Sequence, residues 1–156
     1  MEIVPFSKKD QQETAAFIRS ITQEMGWPEV PPHLLNNLAD YFNIPTDGFL
    51  FLVKQNNTII GMGGCITLQT HESLIKRFYI AKDYRGTGIA SQLLEKIIRT
   101  AKTANVSRIV IDVAKKNSRA IRFYEKNGFV QYKQLPVTDW QESNHPEIFN
   151  YYYLSL

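Results

Sequence analysis

Residues 78–90 of the 156-residue chain read FYIAKDYRGTGIA. An apolar stretch leads into a charged turn, and Arg85, Gly86, Thr87, Gly88, Ile89 and Ala90 run directly into a segment of helical periodicity. Gly86 and Gly88 lack a Cβ, so the backbone there can bend tightly and bring its amide hydrogens close to an anion. The first turn of a helix carries amides with no intrahelical acceptor, and its dipole adds about half a positive charge. The Arg85 guanidinium and the Thr87 hydroxyl add further donors. A strand, such a turn and a helix in this order form a cradle for a pyrophosphate.

Spacing separates the families that use cradles of this kind. A P-loop needs Gly-Lys-Ser/Thr, and here Thr87 and Ile89 follow the two glycines. A dinucleotide fingerprint needs a third small residue, Gly or Ala, where Ser91 stands; Asp112, at the end of the next predicted strand, can take the place of its ribose acid, so that reading stays open. A third pattern, Arg/Gln-x-x-Gly-x-Gly/Ala, is satisfied by Arg85, Gly88 and Ala90. Residues 117–129, NSRAIRFYEKNGF, add a second segment: Asn117, Ala120 three later, the aromatic pair Phe123 and Tyr124, and the closing Gly128 and Phe129.

With both segments in this order, each after a predicted strand, the chain resembles the GNAT superfamily of acyl-CoA-dependent N-acyltransferases. The resemblance implies that Arg85, Gly86, Thr87, Gly88, Ile89 and Ala90 hold the pyrophosphate of acetyl-CoA, the co-substrate. It implies that Phe78, Tyr79 and Ile80 present backbone groups to the pantetheine arm and acyl carbonyl. Asn117 would bond the pantetheine amide, Phe123 would line the same groove, and Lys126 would reach a phosphate. Tyr124 would lie near the thioester sulfur. Each has a plainer reading: Phe123 and Tyr124 pack a helix on the sheet, Asn117 caps that helix, and Lys126 meets water. Thr87 stands where many members carry a basic residue, and Ala90 replaces the commoner Gly.

The implied reaction is acetyl transfer to a primary amine of a small molecule or peptide by direct attack in a ternary complex. An alkyl ammonium has a pKa near 10.4, so a base must take its proton. Glu72 is the candidate, with His71 or water as alternatives. Charge on the carbonyl oxygen needs a backbone donor, expected in the Tyr79 region, and the Tyr124 hydroxyl would protonate the departing thiolate. Cys65 is not required. A catalytically silent acyl-CoA sensor of the same fold is the alternative function.

Positioning these groups requires an α/β arrangement, and the chain reads as one domain over residues 1–156. Helices are expected after Ser7, with Ala15, Ala16, Ile18 and Ile21 on one face, and over residues 33–42, with Leu34, Leu35, Leu38 and Phe42. A hairpin follows at residues 49–54 and 58–68, turned by Gln55, Asn56 and Asn57, then a strand at 73–80. The clearest helix spans 88–105, where Ile89, Leu93, Ile97 and Ala101 align. A strand at 108–113, a helix at 118–127 closed by Gly128, and strands at 129–134 and 148–154 complete the order β-α-α-β-β-β-α-β-α-β-β. The resemblance implies a mixed, mostly antiparallel sheet of about six or seven strands flanked by about four helices.

Composition narrows the classes. One cysteine, Cys65, forbids an intramolecular disulfide, and with three His it leaves no zinc-ligand spacing, so no metal is expected. No apolar run reaches the ~18 residues of a membrane span, and the first ten residues lack a secretory pattern, so a cytoplasmic chain is expected. Residues 76–126 hold 13 Lys and Arg against Asp83, Glu95, Asp112 and Glu125, net +9. That excess fits either the phosphate groove or two solvated helix faces, and nucleic-acid binding is a rival that the overall net charge of +3 does not support. The resemblance puts acceptor choice in residues 27–47 and in the loop at 137–145, with Asp139, Trp140, Glu142 and His145, and allows a homodimer.

Overall fold

The computed structural model describes residues 1–68, 71–132 and 145–156. Strands β1 (Glu2–Pro5), β2 (Phe49–Gln55), β3 (Thr58–Thr67), β4 (Ser73–Ile80), β5 (Arg108–Ala114), β6 (Val130–Gln131) and β7 (Phe149–Ser155) form a seven-stranded sheet in the order β1-β2-β3-β4-β5-β7-β6. Helices α1 (Gln11–Glu24), α2 (Leu38–Tyr41), α3 (Ile89–Thr103) and α4 (Ser118–Lys126) complete the element order expected from the pattern. The sheet is mostly antiparallel, and β4 with β5 is a parallel pair, in register at Ser73↔Ile109 and Leu74↔Val110.

The chain folds as two compact units, Met1–Ile66 with Lys76–Ile97, and Thr67–Ile75 with Ile98–Leu156. In the first, β1 and β3 flank β2, and Leu50, Leu52, Val53 and Met62 are almost fully buried. α1 buries Ala15, Phe17, Ile18 and Ile21, whereas Ala16 faces solvent. Phe17 and the buried Thr14 and Thr22 take the remaining inner positions. The expected second helix over residues 33–42 is a 3-10 turn, Pro32–Leu34, and the single turn of α2. Asn37 divides them, because its side chain accepts the Asp40 amide at 3.1 Å and starts a new helix there. Leu35, Leu38 and Phe42 are nevertheless buried as the spacing predicts.

In the second unit β5 buries Ile109, Val110, Ile111 and Val113, consistent with its near-continuous apolar run, and pairs along its whole length with β7. β6 pairs with β7 at Val130↔Tyr153 and Gln131↔Tyr152, shorter than the expected 129–134 strand, of which 133 and 134 lie outside the described residues.

One buried charge pair fastens α1 to the sheet within the first unit. Lys54 of β2 donates to Asp10 at 2.7 Å, and the Ser7 amide and hydroxyl donate to the other carboxylate oxygen at 3.1 and 2.8 Å. Burial acts to raise the Asp10 pKa, but the bonds from Lys54 and Ser7 outweigh it and hold the carboxyl below its ordinary 3.8. A depressed carboxylate stabilises the fold fully above the unfolded value and loses that contribution as pH falls through the folded one. Lys54→Met is therefore expected to cost about 3 kcal/mol in urea unfolding at neutral pH, because it strands a buried anion. The gap from wild type should narrow below about pH 4; a gap independent of pH would remove Asp10 from the explanation.

Candidate active site

Strand β4 delivers the chain into the turn singled out by the sequence. A 3-10 turn, Lys82–Tyr84, follows it, closed by the Tyr84 amide on the Ala81 carbonyl at 2.9 Å. Gly86 and Gly88 then both take left-handed backbone, φ 77° and 89°. A Cβ built on either would meet nothing within 4 Å, so backbone conformation rather than crowding demands glycine, and the outer side of the turn is open. The first α3 hydrogen bond runs from the Gln92 amide to the Gly88 carbonyl at 3.2 Å. The amides of Ile89, Ala90 and Ser91 precede it and have no acceptor four residues back, and no acidic side chain occupies this first turn. The arrangement favours an anion.

Two of the expected side-chain donors are already engaged. Arg85 Nε donates to the Ile80 carbonyl at 2.8 Å, and its two terminal nitrogens clasp the carboxylate of Glu24, the last residue of α1. Thr87 Oγ1 donates to the Tyr84 carbonyl. Both therefore brace the turn, and the donors left to an anion there are backbone amides. Sequence reasoning missed the Glu24 partner, because nothing local links positions 61 apart.

Along β4, Phe78 and Tyr79 are half-buried, Ile80 is buried, and Tyr79 lies 6.2 Å from Trp27, centroid to centroid. The expected oxyanion donor lay in the Tyr79 region. The departure from regular strand geometry falls at Arg77, whose φ is 55° and whose guanidinium sits 5.1 Å from the Tyr41 ring centre. A left-handed non-glycine inside a strand re-aims the neighbouring peptide groups, and such strain concentrates at functional sites. Its only sequence trace is the two basic residues Lys76 and Arg77 inside an otherwise apolar strand.

In the second unit, Asn117 caps α4 by accepting the Ala120 amide at 3.2 Å; among the described residues its Nδ2 donates to nothing. The plainer reading of Asn117 is thus realised without consuming its donors. Tyr124 is buried, with Phe123 and Phe129 edge-on at 5.2 and 5.3 Å, and Gly128 closes the helix with φ 88°. Lys126 is exposed. Glu72, just before β4, accepts from the Tyr132 hydroxyl. His71 adjoins it with left-handed backbone, φ 60°. Burial drives the Cys65 thiol pKa far up, which leaves it a protonated core side chain.

Among the described residues no group of three or more His, Cys, Asp or Glu could hold a metal, and no helix is long and apolar enough to cross a membrane. Of the loop expected to help choose the acceptor, Asp139, Trp140 and Glu142 lie outside the described residues; His145 is exposed and 3.1 Å from Glu147.

Residues 14–129 match the acetyltransferase (GNAT) family. The match covers most of the chain, and the chain belongs to that family. N-alpha-acetyltransferase 30 of Schizosaccharomyces pombe is 34% identical over 100 residues, 61% of this chain and 66% of that protein. An uncharacterized N-acetyltransferase of Mycobacterium bovis is 32% identical over 91 residues, 58% of each. The chain thus spans 58 to 66% of the length of these curated relatives. A solved GNAT-family acetyltransferase of Staphylococcus aureus Mu50 has a TM-score of 0.85 at 27% identity, covering 99% of this chain and 98% of that one. The PaiA N-acetyltransferase of Thermoplasma acidophilum, solved with coenzyme A, shares the fold at a TM-score of 0.77 and 16% identity, with 99% and 98% coverage.

The left-handed turn makes a ranked prediction. Gly88→Ala should lose about 1–2 kcal/mol in urea unfolding through φ alone, and Gly88→Asn distinctly less, since Asn tolerates this region. Equal losses for the two would mean that the turn does not depend on left-handed backbone.

Proposed function

We propose that the chain transfers the acetyl group of acetyl-CoA to a primary amine of a small molecule or peptide, by direct attack in a ternary complex. The observation that carries this reading is the braced glycine turn, with amides and no acid at the start of α3. The open side of Gly86 and Gly88 suits the close approach of a diphosphate, so the residues fit the group. Acetyl-CoA supplies an activated thioester carbonyl.

The amides of Gly86, Gly88, Ile89 and Ala90 bind the diphosphate, with Arg85 and Thr87 holding the turn in shape and Lys126 adding charge at the end of α4. Phe78, Tyr79 and Ile80 offer backbone groups to the pantetheine arm, Asn117 donates to its amide through Nδ2, and Phe123 lines the groove. Glu72 accepts the proton of the incoming ammonium, which frees the nitrogen lone pair to form the new C–N bond. Backbone donors between the bend at Arg77 and Tyr79 steady charge on the carbonyl oxygen. As the C–S bond breaks, Tyr124 donates its phenolic proton to sulfur, and the second proton shed by the new amide nitrogen restores the phenol. The burial of Tyr124 supports this role, because a desolvated donor acts without competition from water.

The name of the Schizosaccharomyces pombe relative supports an α-amine as acceptor, including the amino terminus of a peptide. Nucleic acid is not the proposed partner. Arg85 is paired with Glu24, Arg77 stacks on Tyr41, Lys96 on Phe51 and Arg108 on Tyr153, so at least four of the thirteen cations in residues 76–126 serve the fold.

Acetyl-CoA should raise the melting temperature of the wild-type chain, and Gly88→Glu should abolish that rise by placing an anion in the cradle. Tyr124→Phe should keep it while lowering thiol release with a panel of amines about a hundredfold. Stabilisation without thiol release from wild type, across amino acids, polyamines and free-amine peptides, would instead identify a silent acyl-CoA sensor.

A further inference from the structure

Glu72 is the end of a chain of side chains drawn from separate segments of the second unit. Its backbone is anchored first: the Leu68 amide donates to the Glu72 carbonyl at 2.8 Å. Its Oε2 then accepts from the Tyr132 hydroxyl, whereas among the described residues Oε1 accepts from nothing. Tyr132 is itself fixed twice. Its amide bonds to the Tyr151 carbonyl at 2.9 Å, and its ring packs 4.6 Å from that of Tyr153. Arg108, at the start of β5, lies over the Tyr153 ring at 5.1 Å. The phenol that donates to Glu72 is therefore held by a ring that is itself covered by a cation.

We infer that Tyr132, supported by Arg108 through the Tyr153 ring, is a positioning residue for Glu72, holding one carboxylate oxygen so that the other faces the incoming amine. The inference rests on the reading of Glu72 as the base. A solvated glutamate before a strand needs no such support, and a free carboxylate would spread over many rotamers. Burial and the hydrogen bond to Glu72 both raise the Tyr132 pKa, so the phenol stays a donor wherever the carboxylate is ionised. Among the described residues, the titratable groups near Glu72 are Tyr132 and Arg108, with Tyr153 beneath the guanidinium and His71 adjoining along the chain. Removing the Tyr132 hydroxyl frees Oε2 and lets the carboxylate leave its one orientation, which costs turnover without touching acetyl-CoA.

The test is steady-state thiol release with acetyl-CoA and whichever amine of the panel the wild type turns over fastest. Tyr132→Phe should lower kcat about tenfold and leave the KM for acetyl-CoA unchanged. Arg108→Gln should lower kcat in the same direction by less, again at unchanged KM, and Arg108→Lys should restore part of the loss. These two variants decide the matter if Tyr132→Phe fails to fold. Glu72→Gln separates the two levels: full turnover in this variant would overturn Glu72 as the base, and the inference with it. Loss of turnover in Glu72→Gln alongside unchanged kcat in Tyr132→Phe and Arg108→Gln would overturn the inference alone. No turnover of any amine by wild type would overturn the proposed function.

Discussion

Left-handed backbone at Gly86 and Gly88 is the constraint from which the site follows. Residues with a Cβ resist that conformation, so the chain leaving β4 can turn sharply into α3 only where Cβ is missing. The turn is not left to its own stiffness. Arg85 ties it to the end of β4 through the Ile80 carbonyl and to the end of α1 through Glu24, and Thr87 closes it on Tyr84. Side chains that look like ligand donors in the sequence instead fix the backbone, and under the proposed function it is the amides at the head of α3 that meet the diphosphate. Such a group of amides carries no net charge of its own and selects an anion by orientation.

The distribution of charge follows the same logic. Residues 76–126 carry a large basic excess, yet several of those cations have aromatic or acidic partners in the fold. In water a surface ion pair contributes little, but a bidentate arginine clasp restricts geometry as well as charge. The Arg85–Glu24 pair links the turn to α1, only three positions before Trp27, which faces Tyr79 on β4. The chain's match to the GNAT acetyltransferase family spans this turn.

What could be read from the sequence was what local physics controls. The helical period of Ile89, Leu93, Ile97 and Ala101 and the apolar run of β5 placed those elements within two residues, because burial on one or both faces leaves a pattern in the chain itself. The glycine turn was legible for the same reason. The failures were long-range or competitive. Asn37 broke the expected helix over 33–42 by offering its side chain to a backbone amide, and Ala16 gave its inner place to the larger Phe17. The clasp of Arg85 by Glu24 and the bond from Tyr132 to Glu72 join positions 61 and 60 apart, which no periodicity reports. The left-handed Arg77 lies in a strand with no glycine to announce it.

The most direct measurement is a titration of the labelled protein with coenzyme A, followed by amide proton and nitrogen resonances. The amides of Gly86, Gly88, Ile89 and Ala90 should move first and furthest, with saturation. Changes confined to other amides, or none at millimolar excess, would contradict diphosphate binding at the head of α3.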